Sequence, residues 1–296
     1  MSLVQRIQDD LAAHGLAPLH RFGQNFMIDD RALAALVELA EAGPGVRCAE
    51  VGPGTGVLTE RLLAAGATVL AVEIDAGLHR LLTAKLVPLG LHLVHGDALD
   101  GKQSLHPALA AFAAEPWRLA SNLPYDVALP VILNAMAMPN PPARIAVTVQ
   151  REAAQRLVSR PGDPAWGATA CIAQAAGTPV LVRRLGPGSF FPPPRVDSAI
   201  LGWSPKRPLP PGFPGFVRAV FAYRRKVLPG ALRDAGCFAG ATTAEVRAAV
   251  DSACRTAGLD PGRRLEDLAP DEMLALHAAL TAAQAWADPA APHHSH

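Results

Sequence analysis

Cysteine is scarce in this chain and scattered. The four thiols, Cys48, Cys171, Cys237 and Cys254, form no Cys-x-x-Cys pair and have no His at ligand spacing, which argues against a structural zinc or a disulfide framework and makes buried free thiols the expectation. Long apolar runs are missing too. Half of the 296 residues are hydrophobic, yet no window approaches the roughly 18 uninterrupted apolar residues that a membrane span needs. The opening Met1-Ser-Leu-Val-Gln-Arg-Ile-Gln-Asp-Asp lacks the basic-then-apolar plan of a signal peptide. A folded, cytosolic (cytoplasmic) protein without a membrane partner or a metal is therefore expected. The end His293-His294-Ser295-His296 is expected to be a solvated, disordered tail over residues 287–296 rather than a metal site.

Net charge is almost absent, at +1, but it is unevenly spread. Between Val180 and Ala235 ten Lys and Arg face two acids, Asp197 and Asp234, so that this stretch carries +8 and the rest −7. A basic concentration in an otherwise acidic chain suggests a polyanion footprint; a solvated helix face accounts for some of these charges but less readily for the asymmetry.

The hydrophobic pattern predicts alternating elements. Helices are expected at 31–41, 58–65, 78–86, 151–159 and 167–176, with Asp29 or Asp30 as the first N-cap, and strands at 46–51, 68–74, 91–95, 119–121, 144–150, 180–185 and 198–203. Strands alternating with helices imply an α/β fold with a parallel, doubly wound sheet. The run Ser204-Pro-Lys-Arg-Pro-Leu-Pro-Pro-Gly is where a domain boundary is expected, giving domains at 1–204 and 205–286. Beyond it only helical patterns are seen, and no internal repeat is found.

Two constellations carry chemistry. In Glu50-Val-Gly52-Pro-Gly54-Thr-Gly56 glycines sit between a strand and a helix, where they let the backbone approach a ligand and leave helix N–H groups for an anionic group. Dinucleotide enzymes use a related loop, but here the spacing is Gly-x-Gly-x-Gly. Glu73 at the end of the second strand can accept from both hydroxyls of a ribose, and Asp97 at the end of the third can meet an adenine amino group. Two acids suit S-adenosylmethionine, with its neutral ribose and cationic sulfonium. The second constellation is Asn122-Leu123-Pro124-Tyr125. An adenine N6 lone pair is delocalised into the ring; an Asn amide oxygen and a backbone carbonyl near Pro124 can hold its N–H bonds while Tyr125 stacks on the base. A Pro turn at a strand end with a core Tyr fits the same four residues.

Taken together, four blocks resemble the KsgA-type ribosomal RNA adenine dimethyltransferase family over nearly the whole chain: His20-Arg21-Phe22-Gly23-Gln24-Asn25-Phe26-Met27; Glu50 to Gly56 with Val72 to Asp75; Asn122 to Tyr125; and Phe190-Phe191-Pro192-Pro193-Pro194-Arg195-Val196-Asp197-Ser198. Phe221 to Leu228, with Tyr223-Arg224-Arg225-Lys226, looks like the family's basic helix in the C-terminal domain. The resemblance implies a Rossmann-like class I methyltransferase sheet with a small all-helical C-terminal domain, and methyl transfer from S-adenosylmethionine to adenosine N6 in a small-subunit rRNA hairpin loop, with the immature small ribosomal subunit as partner. It implies cofactor contacts from Gln24, Asn25, Met27, Gly52, Gly54, Gly56, Glu73, Ile74, Asp97, Ala98 and Asn122. It implies catalytic roles for Asn122, Leu123, Pro124 and Tyr125 with Phe190 beside the base, and RNA contacts from Arg195, Arg224, Arg225 and Lys226. A monomer is assumed. A large-subunit adenine methyltransferase of the antibiotic-resistance type and an assembly-binding factor with weak catalysis are the alternatives. The chain departs from the usual family pattern at Asp126 to Pro130, at Pro161 to Gly167 and at Val227 to Gly230, none of which removes a cofactor- or amine-holding residue.

Overall fold

The computed structural model describes residues 1–19, 23–101, 104–237 and 242–286. His20, Arg21 and Phe22, and the tail from 287 on, lie outside the described residues. The elements in chain order are α1 (Leu3–Ala13), β1 (Phe26–Met27), α2 (Asp30–Leu39), β2 (Arg47–Val51), α3 (Val57–Ala64), β3 (Thr68–Glu73), α4 (Ala76–Lys85), β4 (His92–His95), α5 (Pro107–Phe112), β5 (Arg118–Asn122), α6 (Tyr125–Met136) and β6 (Arg144–Gln150). There follow α7 (Arg151–Val158), α8 (Ala168–Ala176), β7 (Gly177–Leu185), β8 (Phe190–Phe191), β9 (Ser198–Pro205), α9 (Phe213–Phe221), α10 (Leu228–Asp234), α11 (Thr243–Ala257) and α12 (Pro270–Ala282).

Among the described residues seven strands form one sheet in the order β4-β3-β2-β5-β6-β9-β7. The pairings from β4 to β6 are parallel, as expected. The pairing of β6 with β9 is antiparallel, with Gln150 opposite Ser198, so the parallel sheet carries an antiparallel edge whose orientation the sequence pattern does not give. An antiparallel neighbour needs no helical crossover of fixed hand, and this one brings the start of β9 to the carboxyl end of β6. Strand order reverses between β2 and β5: the chain walks outward through β3 and β4, then returns to the other side of β2. In open α/β sheets the crevice at such a switch point receives the ligand.

Periodicity misses α1, α5, α6 and the two-residue strands. α1 is short and buries only Ile7 and Leu11, one turn apart, beneath a Ser2 N-cap. α6 contains Pro130, which cannot donate to the helix ladder and so masks the pattern. β1 and β8 pair with each other, Met27 opposite Phe190 and Phe26 opposite Phe191, and two residues show no period. Asp29, rather than Asp30, caps α2 by accepting from the Arg31 and Ala32 amides.

The chain falls into two compact units, residues 1–155 with 178–205, and residues 156–177 with 206–296. The second thus takes in a stretch well before the Pro-rich run. The core of the first is built from Leu33, Leu36, Leu62, Val69, Leu81 and Leu82 around the sheet. In the second, Trp166 meets Phe221 edge-on at 6.2 Å, and His277 packs against Phe213 and Phe216.

Candidate active site

At the carboxyl ends of β2, β3 and β5 lies a cleft of about 730 Å³ lined by Gln24, Asn25, Met27, Glu50, Thr55 and Asn122 among others. A second cleft, of about 560 Å³, holds Gly96, Asp97, Ala98 and Val127. Gly52, Ile74 and Pro124 line both, so the two are adjoining spaces. Ile74 keeps 45% of its surface exposed and lines both clefts, where it offers an apolar platform.

The glycines are required by the backbone and by space. Gly52, Gly54 and Gly56 have φ of 65°, 63° and 85°, a region that costs other residues strain. A Cβ on Gly54 would sit 2.9 Å from the Phe26 ring, and one on Gly56 2.5 Å from Leu86 Cδ1. The floor of the cleft is therefore bare backbone.

Glu73 is 3% exposed. Its Oε1 accepts from the Asp75 amide at 2.8 Å and its Oε2 from the Gly54 amide at 3.2 Å, which ties β3 to the glycine loop and leaves each oxygen a further lone pair. Burial pushes its carboxyl up to about 7, against the lowering pull of those amides. Glu50, buried at the end of β2, accepts from Thr59 Oγ1 at 2.6 Å and is pushed to about 8 by burial, with the Glu73 charge adding to the rise. Both acids are thus neutral in the fold at a pH where the unfolded chain, near its ordinary value of 4.5, has ionised them. Their stabilising contribution is complete below about 4.5 and is lost as pH rises through 7 to 8. The ligand-free protein is expected to show a falling melting temperature from pH 6 to 8.5, with Glu50→Gln flattening the slope; equal slopes in thermal scans of the two would rule this out.

At the end of β5, Asn122 donates from Nδ2 to the Asn25 carbonyl at 2.9 Å, which fixes the amide plane and leaves Oδ1 as an acceptor. The Leu123 amide donates to the Thr148 carbonyl at 3.2 Å, and the Val127 amide to the Pro124 carbonyl at 3.3 Å, so the turn is stapled to β6 and to α6. Tyr125 Oη and Ser198 Oγ are 2.6 Å apart, which sets the ring's orientation from β9. Burial raises the Tyr125 phenol above its ordinary value, keeping it neutral. The N-terminal segment closes over one side: Gln24 Nε2 donates to Asp75 at 3.2 Å, and Asn25 Nδ2 to the Gly23 carbonyl at 3.0 Å. Asp97 uses Oδ1 to accept from the Leu99 amide at 2.9 Å, which leaves Oδ2 as a second acceptor.

The structure gathers Gln24, Asn25, Met27, Gly52, Gly54, Glu73, Ile74 and Asn122 through Tyr125 in one cleft, and Asp97 with Ala98 in the adjoining one. Gly56 lies outside both linings and serves as the N-cap of α3. Phe190, expected beside the base, is 2% exposed in the core and lines neither cleft; its strand partner is Met27. Sequence reasoning assigned no role to Glu50, Thr55 or Ser198, although all three stand inside blocks it singled out; the first closes the strand before the glycines, and strand-end acids are the signal that could have found it.

The basic segment is also corrected. Residues 222–225 are turn, Lys226 is a bend and Val227 bridges to Arg264, so the stretch between α9 and α10 is not a helix. Pro229 stands at the start of α10, where a missing N–H does no harm but a continuous helix could not pass. Instead the segment pairs with the α11–α12 connection: the Glu266 amide donates to the Arg224 carbonyl and the Leu265 amide to the Lys226 carbonyl, at 3.0 and 3.1 Å. Arg224 Nη1 donates to the Trp166 carbonyl at 2.7 Å, and its Nε lies 3.7 Å from Glu266. Lys226 pairs with Asp234. Arg225 and Arg195 are exposed and make no ion pair among the described residues.

Among the described residues no group of three or more His, Cys, Asp and Glu is arranged to hold a metal ion, and no helix is long and apolar enough to cross a membrane.

Comparison with known proteins bears on the site. A family model described as ribosomal RNA adenine dimethylase matches residues 19–267. The chain is 37% identical over 278 residues to a protein of Deinococcus radiodurans named ribosomal RNA small subunit methyltransferase A, covering 93% of this chain and 90% of that one. It is 36% identical over 287 residues to a protein of the same name from Phenylobacterium zucineum, covering 95% and 92%. Among solved structures, a dimethyladenosine transferase from Plasmodium falciparum superposes with a TM-score of 0.68 at 19% identity, over 87% of this chain and 98% of that one. The 23S rRNA methyltransferase ErmE gives 0.60 at 23% identity, over 87% and 100%. At these identities the two structures show the shared fold alone.

Proposed function

This chain belongs to the ribosomal RNA adenine dimethylase family, and we propose on that premise that its two adjoining clefts hold S-adenosylmethionine beside a flipped-out adenosine of small-subunit rRNA. The activity is S-adenosylmethionine-dependent N6-dimethylation of rRNA adenosine. The observation that carries the placement is Asn122, whose Nδ2 is anchored on the Asn25 carbonyl at 2.9 Å so that Oδ1 is free to accept.

The residues present suit the cofactor. Thr55 lines the larger cleft with a buried hydroxyl that has no partner, the glycine loop has no room for side chains, and Glu73 retains lone pairs for a ribose diol. Asp97 offers Oδ2 to an adenine amino group, and Ile74 an apolar face to the ring. When bound, S-adenosylmethionine supplies a sulfonium-activated methyl group.

The protein's own contribution is alignment. Asn122 Oδ1 and, because the Pro124 carbonyl is engaged by Val127, the Leu123 carbonyl accept the two N–H bonds of the target amine. Held so, the nitrogen lone pair leaves conjugation with the ring and points at the methyl carbon. Tyr125, set by Ser198, gives the base a face to stack on, and Phe190 acts from the core as the strand partner of Met27. No strong base is needed, since the methylated ammonium is acidic enough to lose its proton to an acceptor or water. A base must leave its helix to reach these groups, which favours a hairpin loop over a duplex as the target. Action on the immature small subunit in the cytoplasm, by a monomer, follows from this reading.

The exposed Arg195 of the first unit and Arg225 of the second are each candidates for phosphate contact, whereas Arg224 and Lys226, the chain neighbours of Arg225, are already engaged. Arg225→Glu is expected to weaken rRNA binding and lower its salt slope by about one contact, with the melting temperature unchanged. Arg224→Ala is expected to cost about 1–2 kcal/mol of stability by releasing the Trp166 carbonyl. Equal salt slopes for Arg225→Glu and the unaltered protein would remove Arg225 from the interface.

Methyl transfer from labelled S-adenosylmethionine to undermethylated small and large subunits, with mass spectrometry of the digested RNA, tests the whole. Dimethyladenosine in the small subunit is expected. Label in the large subunit instead, or tight subunit binding without label, would overturn it.

A further inference from the structure

The glycine loop is held from below by an ion-pair cluster that no sequence motif announced. Lys85, the last residue of α4, lies 2.6 Å from Asp10 of α1 and 2.8 Å from Glu60 of α3, and its Nζ also donates to the Thr55 carbonyl at 3.2 Å. Arg6 of α1 pairs with Glu60 at 2.7 Å. Lys85 and its two carboxylate partners are only about a quarter exposed in their side chains, so the cluster is less screened than a surface pair. Beneath the loop, α4 is in place by packing: Leu82 and Leu86 fill the space where a Cβ on Gly56 would stand. Thr55, a residue of the cleft lining, is thus gripped by its carbonyl on one side, while its hydroxyl is buried and without a partner. α1 lies outside the stretch matched by the family model, residues 19–267.

We propose that Lys85 is a positioning residue for the cofactor loop, tied to α1 through Asp10 and to α3 through Glu60, and that it presents the Thr55 hydroxyl to a polar group of bound S-adenosylmethionine. The inference rests on the reading that this cleft holds the cofactor. Its physical basis is preorganisation. A loop with three glycines at positive φ is soft, and ordering it on binding subtracts from affinity. A cation anchored at two carboxylates and bonded to the loop carbonyl meets that cost before the ligand arrives. The buried hydroxyl, unpaired in the free protein, gains a hydrogen bond only in the complex.

The experiment is calorimetric titration of S-adenosylhomocysteine, which is not turned over, into the full-length protein and its variants, with steady-state kinetics on small subunits alongside. Lys85→Met and Thr55→Val are each expected to weaken binding about tenfold, and Asp10→Asn about threefold, while Lys85→Arg and Thr55→Ser remain within about twofold. The double variant Lys85→Met with Thr55→Val is expected to be little weaker than either single one, because both act through one contact. In kinetics, Lys85→Met should raise KM for the cofactor and leave kcat and the KM for RNA within about twofold. A merely structural role would reduce the active fraction, and with it kcat, instead. Wild-type-like affinity in a folded Lys85→Met overturns the positioning role. Should that variant fail to fold, Thr55→Val decides alone, and unchanged affinity there overturns the proposal. No binding by the unaltered protein would overturn the cofactor reading itself.

Discussion

Asn122→Ala is expected to lower methyl transfer by at least about 10³-fold while leaving most of the affinity for S-adenosylhomocysteine. Removing one preorganised hydrogen-bonding group from the reacting centre costs about 10²–10³ in rate, and here the same change also loosens the alignment of the amine. The cofactor should be affected far less. Alanine forfeits the bond from Nδ2 to the Asn25 carbonyl, but Glu73, the glycine loop and Asp97 are untouched. Asn122→Asp separates the two roles, because it keeps an acceptor for the amine and loses the donor that anchors the side chain. Methyl incorporation and calorimetry on the same preparations decide the matter. Near wild-type turnover in Asn122→Ala would sink the catalytic assignment.

Glu73→Gln is expected to weaken cofactor binding by about 10–100-fold, the range for a hydrogen bond to a charged group. The amide can serve as acceptor for only one of the Asp75 and Gly54 amides that the carboxylate now satisfies, so the loop and the ribose contact are both impaired. The pH dependence gives a sharper test. Burial pushes Glu73 to about 7 in the free protein, whereas a ribose diol donating to it favours the ionised form. Affinity should therefore rise with pH up to about 7 and level off above it, and binding below that point should release a proton. Titration in buffers of different ionisation enthalpy reads the proton directly. Glu73→Gln should abolish both effects, and a wild-type affinity that is flat from pH 5.5 to 8 would dismiss the ribose role.

Much of this site was legible because its residues sit at strand ends, and strand ends are marked in sequence by short apolar runs stopping at Gly, Asp or Asn. Gly52 to Gly56, Glu73, Asp97 and Asn122 could each be found in that way. What escaped detection had no such mark. Ser198 reaches Tyr125 only because β9 is antiparallel to β6, and an orientation of that kind leaves no trace in the alternation of either strand. Arg224 read as one of three equivalent cations. Its separate role follows from the Trp166 carbonyl, 58 residues earlier, coming within 2.7 Å. Phe190 carried a base-side role by its place in a motif, but the pairing of two dipeptides, β1 with β8, turns it into the core instead.

The sequence by itself determined the class of fold, the cofactor loop and the amine-holding turn, because each depends on interactions within a few residues: φ at glycine, the rigidity of Pro124, apolar spacing at periods of two or 3.6. Only the tertiary structure decided which acids are buried, which cations are free and what fixes the loop. Desolvation of Glu50 and Glu73, the capture of Arg224 and Lys226, and the meeting of Lys85 with Asp10 across 75 residues all depend on distances through space, and a linear pattern holds no record of those.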